Sequence, residues 1–198
     1  MNLLAHAYLS FDQPQILLGN MISDYVKGKK QFDYPAGIQK GITLHRAIDE
    51  FTDHHAATKE AKQYFQADYK LYAGAFIDIV YDHFLANDRN EFENEVILNI
   101  FSHSTCKTLQ ENISLLPDKF SKLLPHMQSQ NWLYNYRFKE GIEKSFDGLV
   151  HRAAYLSEST IAYTIFNEQY KNLQQCYAAF FPSLKSFAIR TLNGLNNS

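Results

Sequence analysis

The chain has little of what would mark a secreted, membrane-spanning or thiolate-metal protein. Its 198 residues hold two cysteines, Cys106 and Cys176. Neither has CxxC or CxxH spacing, which argues against a thiolate zinc site and for free thiols in a reducing compartment. No apolar run approaches the roughly 20 residues of a membrane span. The opening "MNLLAHAYLSF" lacks a basic stretch and is too short and polar for a secretory signal, so a cytoplasmic protein is expected. Turn-forming residues are few, with 5 Pro and 8 Gly. The one Asn-Gly pair, Asn193-Gly194, has no second strand after it to make a hairpin. A formal net charge of −2 gives no general attraction to nucleic acid or to an acidic membrane, and neither is expected as a partner. GxSxG, P-loop, GxGxxG and HExxH motifs are missing, as are internal repeats and low-complexity segments.

What remains reads as a soluble, all-α, single-domain protein spanning residues 1–198, a bundle of about eight helices. Hydrophobic residues make up 45% of the chain and charged residues 20%, ordinary values for a globular domain of one core. Aromatics are plentiful at 15%, with 13 Tyr and 15 Phe; many of the tyrosines are expected at the core boundary, hydroxyl outward. Apolar periodicity and Pro/Gly punctuation place a short helix near 2–10. A second runs from Pro14 to about Gly28, and a third from Pro35 to about His54. Further helices are expected near 57–66, 69–87, 90–110, 117–129 and 131–152, with one or two more between 157 and 192.

Several of these helices carry ionisable residues where apolar ones belong. In "GAFIDIVYDHFLAND", Asp78 and Asp82 lie one turn apart with His83 beside them. Burying such carboxylates unpartnered costs several kcal/mol; a metal ion, a cationic side chain or solvent could each relieve that. In "GITLHRAIDEFTDHH", His45, Asp49 and Asp53 follow one another at i, i+4 beside Ile38, Ile42 and Ile48. Asp49 could share a cation with His45 or simply orient a core imidazole. Asp24 interrupts the apolar face of the second helix near its C-terminus, where the helix dipole disfavours a carboxylate, and Lys27 is one available partner. His6, in "LLAHAYL", is either a satisfied core histidine or a ligand.

Together these residues fall on four expected helices within the first 83 positions. Residues 1–99 hold 9 basic and 14 acidic side chains, against 10 and 7 in residues 100–198. Mixed His/Asp ligation from facing helices is how bundles build metal sites. The donor set suits Mn²⁺ or Fe²⁺, with Mg²⁺ and Zn²⁺ also open and Ca²⁺ less suited. Such an ion would activate water and polarise a phosphoryl oxygen. The pattern thus leads to a metal-dependent hydrolase; a non-catalytic helical binding protein, its acids paired with Arg46 and Lys27, is the alternative.

The segments "MNLLAHAYLS", "LLGNMISDYVKG", "GITLHRAIDEFTD" and "DIVYDHFL", with weaker likenesses in "NWLYNYRF", "GLVHRA" and "FFPSL", resemble the acyl carrier protein phosphodiesterase family. The resemblance implies an all-helical fold distantly related to HD-type phosphohydrolases. It implies Mn²⁺-dependent release of 4′-phosphopantetheine from holo acyl carrier protein, which would be the protein substrate. An HD-like phosphohydrolase acting on a nucleotide or other small phosphate ester is the alternative. By motif, metal ligands are expected among His6, His45, Asp49, Asp78, Asp82 and His83. Asp24 is expected to ligate or to position water, with Arg46, Lys27 or Arg152 neutralising phosphoryl charge. The chain departs from the pattern at Tyr8, where the enterobacterial type has a second histidine. It also carries Asp82-His83, whereas HD enzymes carry the adjacent pair as His-Asp.

Overall fold

The computed structural model describes residues 1–197, and among these every regular element is helical. In chain order the α-helices are α1 (Leu3–Tyr8), α2 (Pro14–Ile22), α3 (Ala36–His54), α4 (Ala56–Tyr69), α5 (Ala73–Ala86) and α6 (Glu95–Glu111). They are followed by α7 (Asp118–Ser129), α8 (Trp132–Asn135), α9 (Lys139–Arg152), α10 (Thr160–Glu168) and α11 (Tyr170–Asn196). Short 3₁₀ turns at Ser23–Tyr25, Gly28–Asp33, Lys70–Tyr72 and Ile113–Leu115 join some of them.

The centre of the bundle is α5. Its sequence is apolar nearly all round, which is the signature of a helix buried on every side, and Phe76, Ile77, Val80, Tyr81 and Leu85 are inaccessible to solvent. It packs against α1, α4, α9 and α11. Phe76 meets Phe65 of α4 at 5.7 Å and Phe146 of α9 at 5.1 Å between ring centroids. Tyr81 stacks on Phe180 of α11 at 5.0 Å. Each such fully buried aromatic contributes about 2–3 kcal/mol of transfer free energy. The long α11 also closes over α3, where Phe187 stacks on Phe51 at 4.5 Å.

One crossing sets the position of everything that follows. A Cβ on Gly19 would lie 2.1 Å from the Ile38 carbonyl, and one on Gly41 would lie 2.4 Å from that of Ile16. Two glycines face to face therefore bring the backbones of α2 and α3 closer than any side chain would permit. This is the most extensive helix pairing in the molecule.

The boundaries differ from the sequence-based expectation at three places, and one expected helix is split in two. The expected 131–152 helix is broken between Asn135 and Lys139, and the expected 90–110 helix starts at Glu95. There Asn94 caps α6 by accepting from Val96 N and Ile97 N. The second helix ends at Ile22, short of the expected Gly28, so Asp24 stands on a 3₁₀ turn instead of a helical face.

Candidate metal centre

The close pairing of α2 and α3 puts Asn20 beside His45, and α1 lays His6 against the same residue. His6 Nδ1 donates to Asn20 Oδ1 at 2.8 Å. Asn20 Nδ2 donates in turn to the His6 carbonyl (2.8 Å) and to Ser10 Oγ (3.2 Å), which fixes the sense of the amide. His45 Nδ1 donates to the Asn20 backbone carbonyl at 2.7 Å. A carbonyl only accepts, so both rings carry their proton on Nδ1 and turn Nε2 the other way. The rings are stacked, 3.8 Å between centroids.

Both Nε2 atoms are buried, and in the neutral rings neither has a hydrogen-bond partner. What faces them is carboxylate. Asp49 places Oδ1 3.1 Å from His6 Nε2 and Oδ2 3.1 Å from His45 Nε2, while Asp24 Oδ1 lies 3.3 Å from His45 Nε2. Lone pairs aimed at lone pairs in a buried setting need a cation between them. Burial works against charge on His45, but Asp24 and Asp49 outweigh it and raise its pKa to about 9, so a proton fills part of that need. Burial and the charge of His45 lower His6 to about 4, leaving its Nε2 a bare acceptor at neutral pH. Asp49, despite burial, is held well below the usual carboxylate range by the two histidines and a neighbouring amine. Asp24 is lowered by its bond from His45. His6, His45 and Asp49 offer ligand atoms within 4.8 Å of one another. Two imidazole nitrogens and one or two carboxylates suit a borderline-hard divalent ion.

The other acids and histidine expected at the site have different partners. Asp78 pairs with the α-amino group of Met1 at 3.0 Å, and the same amine reaches Asp49 Oδ1 at 3.3 Å. Burial would lower that amine, but the carboxylates prevail and raise it to about 10. Asp78 is raised by burial, opposed by the amine's charge. Asp82, fully buried, accepts from Leu4 N at 2.7 Å and Ala5 N at 3.1 Å. It thereby satisfies two of the free N–H groups at the start of α1, where a carboxylate is favoured by the helix dipole. Burial still pushes it up to about 7. His83 lies apart from the cluster, donating from Nδ1 to the Tyr136 carbonyl and accepting at Nε2 from the Tyr170 hydroxyl. Burial lowers it to about 4, so it is a neutral core histidine.

Arg46 is one residue beyond His45, and its guanidinium donates to the Val26 carbonyl at 3.1 Å and to Gln31 Oε1. Lys27 is exposed. Among the described residues neither makes an ion pair with an acid, in contrast to the pairing a purely structural reading expects. Arg152 stands at the end of α9, close enough for its charge to act on the phenols of Tyr25 and Tyr136. Asn20 was not singled out in the sequence. Its only signal there is a polar residue inside the apolar run "ILLGNMI", one that reads equally as a helix surface position.

Comparison with known proteins places the chain in context. The family model described as acyl carrier protein phosphodiesterase matches residues 1–184. A Yersinia enterocolitica protein of that name is 32% identical, covering 95% of this chain and 97% of its own length. One from Klebsiella pneumoniae is 30% identical over 95% and 97%, and one from Escherichia coli 28% over 96% and 98%. No solved structure matches, and the kinship with HD-type phosphohydrolases remains an expectation from sequence.

Proposed function

The chain belongs to the acyl carrier protein phosphodiesterase family, and we propose that it hydrolyses the phosphodiester between 4′-phosphopantetheine and a serine of holo acyl carrier protein. The products are the apo carrier protein and 4′-phosphopantetheine. The observation that carries a metal-dependent reading is the pair of buried, unpartnered Nε2 atoms of His6 and His45 facing the Asp49 carboxylate.

In this reading His6, His45 and Asp49, with Asp24 alongside, hold a divalent cation, Mn²⁺ first by family resemblance. When bound, such an ion supplies Lewis acidity, lowering the pKa of water and polarising a phosphoryl oxygen. Asp24 does the proton work. It is the most exposed acid of the group, its side chain 79% accessible. Its depressed pKa keeps it ionised and able to take a proton at the oxygen turned away from His45. Asn20 holds both imidazoles in the tautomer that ligation requires. Lys27 and Arg152, flanking the Asp24 turn, balance charge on the phosphoryl oxygens as the serine oxygen departs. Asp82 and Asp78 act one step back: the first anchors α1 and hence His6, the second shares the Met1 amine with Asp49.

The test is intact-mass spectrometry of holo acyl carrier protein incubated with the chain and Mn²⁺, beside reactions with EDTA and with Asp49→Ala. Loss of the phosphopantetheine mass in the first reaction alone is the expected result. An unchanged holo mass, with Mn²⁺ binding confirmed and a small phosphodiester cleaved, would replace the carrier protein by a small phosphate ester.

A further inference from the structure

The loop that leaves the candidate metal centre is exposed along most of its length and is held by one arginine. The 3₁₀ segment Gly28–Asp33 buries none of its residues. Arg46, on the turn of α3 that carries His45, holds the loop through the Val26 carbonyl just before this segment and through Gln31 within it. Ordering a long, exposed guanidinium this way has an entropic cost; its bond to the buried Val26 anchors the base of the loop, and its bond to Gln31 orders the exposed turn.

What the clamp displays is chemically specific. Lys27, Lys29 and Lys30 are exposed and, among the described residues, have no acidic partner; Asp33 is the single acid within the segment. Phe32 stands 64% accessible among them. An exposed aromatic that follows three exposed lysines within a few residues matches an extended acidic surface with an apolar spot better than a lone phosphate. A phosphate would call for convergent donors, whereas these lysines lie on a short open turn. Asp24 begins three residues before Lys27, so whatever docks here lies at the edge of the metal centre.

We propose that the Lys27–Phe32 loop, held by Arg46, is the docking surface for an acidic protein that presents its phosphodiester to the metal centre. The proposal rests on the carrier-protein reading above and adds the surface that recognises it. Charge complementarity of this kind acts on encounter and on affinity, and is screened by salt.

The experiment measures binding of fluorescently labelled holo acyl carrier protein to the Mn²⁺-loaded chain by anisotropy, at low and at moderate salt. Cleavage is scored separately, together with hydrolysis of bis(4-nitrophenyl) phosphate, which has no protein to dock. The double variant Lys29→Glu/Lys30→Glu is expected to raise Kd at least tenfold at low salt and to flatten the salt dependence. Phe32→Ala is expected to raise it about threefold. Both should cleave the small diester at the wild-type rate, and reversal of the distant Lys107 and Lys171 should leave Kd alone. Wild-type Kd in the Lys29/Lys30 variant, with carrier cleavage intact, overturns the docking surface and leaves the proposed function standing. A wild-type chain that cleaves the small diester but neither binds nor cleaves the carrier overturns both.

Discussion

At the scale of single residues, the site is organised by a side chain that carries no chemistry of its own. Asn20 is wholly inaccessible to solvent and uses its amide on His6 and its backbone carbonyl on His45. The two roles separate by mutation. Asn20→Ala removes the partner of His6 Nδ1 and keeps that of His45, so His6 alone becomes free to rotate or change tautomer. Loss of such an orienting partner costs 10–100-fold in metal affinity. Calorimetric titration of Asn20→Ala with Mn²⁺ should show a weakening in that range, along with about 1–3 kcal/mol of lost stability from the orphaned His6 and Ser10 groups. Wild-type affinity would mean that stacking on His45 is enough to orient His6. The contrast between Asn20 and the residues visible in sequence is instructive. His45 and Asp49 announce themselves by i, i+4 spacing on an apolar face, and His6 and Asp24 by interrupting one. Asp78, Asp82 and His83 interrupt in the same manner, but their partners are an α-amino group, two N–H groups of α1 and a carbonyl of a distant turn. Sequence spacing shows that a buried polar group needs a partner; only the tertiary contacts say whether that partner is a cation or the backbone.

At the scale of elements, apolar periodicity revealed the helices, while local backbone chemistry determined where they stop. Helices α3 and α7 follow their expected spans closely, because each has one continuous apolar face and a proline at its start. One divergence falls where a residue takes a conformation that periodicity does not register: Lys70 (φ 47°) ends α4 and delays the start of α5 to Ala73. The α2–α3 crossing is a third kind of information, invisible until the helices are paired. Gly41→Ala would push a methyl group onto the Ile16 carbonyl at 2.4 Å and the Gly19 Cα at 2.9 Å. Backbone cannot swing aside as a side chain can, so the helices must part, at about 1–3 kcal/mol. His45 would then withdraw from Asn20. Gly194, inside α11, has nothing within 4 Å of its absent Cβ, and Gly194→Ala should be neutral or stabilising by up to about 1 kcal/mol from helix propensity. Urea unfolding of the two variants checks the contrast. Equal effects would show that the close approach is not what glycine provides at the crossing.

At the scale of the whole molecule, the candidate metal centre is a junction between several elements of the chain. His6 comes from α1, Asn20 from α2, Asp24 from the following turn, and His45 and Asp49 from α3. Asp82 of α5 fastens the start of α1, and Asp78 of the same helix reaches Asp49 through the Met1 amine. A cation bound there joins the N-terminal elements to the central helix, and none of these ligand positions is assembled in the unfolded chain. Ligand that binds the folded state alone stabilises it by RT ln(1 + [L]/Kd), about 2.7 kcal/mol at a hundredfold excess over Kd. For a domain of this size each kcal/mol moves the midpoint by about 2–4 °C. Mn²⁺ at that excess should therefore raise the thermal midpoint of the EDTA-treated protein by roughly 5–11 °C. The rise should grow with the logarithm of metal concentration. Asp49→Asn should abolish that metal-dependent rise, and its midpoint without metal should itself fall, since the Met1 amine and His45 lose a carboxylate partner. A metal-independent midpoint in the wild-type chain would mean that the proton on His45 already answers the need created by the buried Nε2 atoms, and that the cluster is a hydrogen-bonded core element.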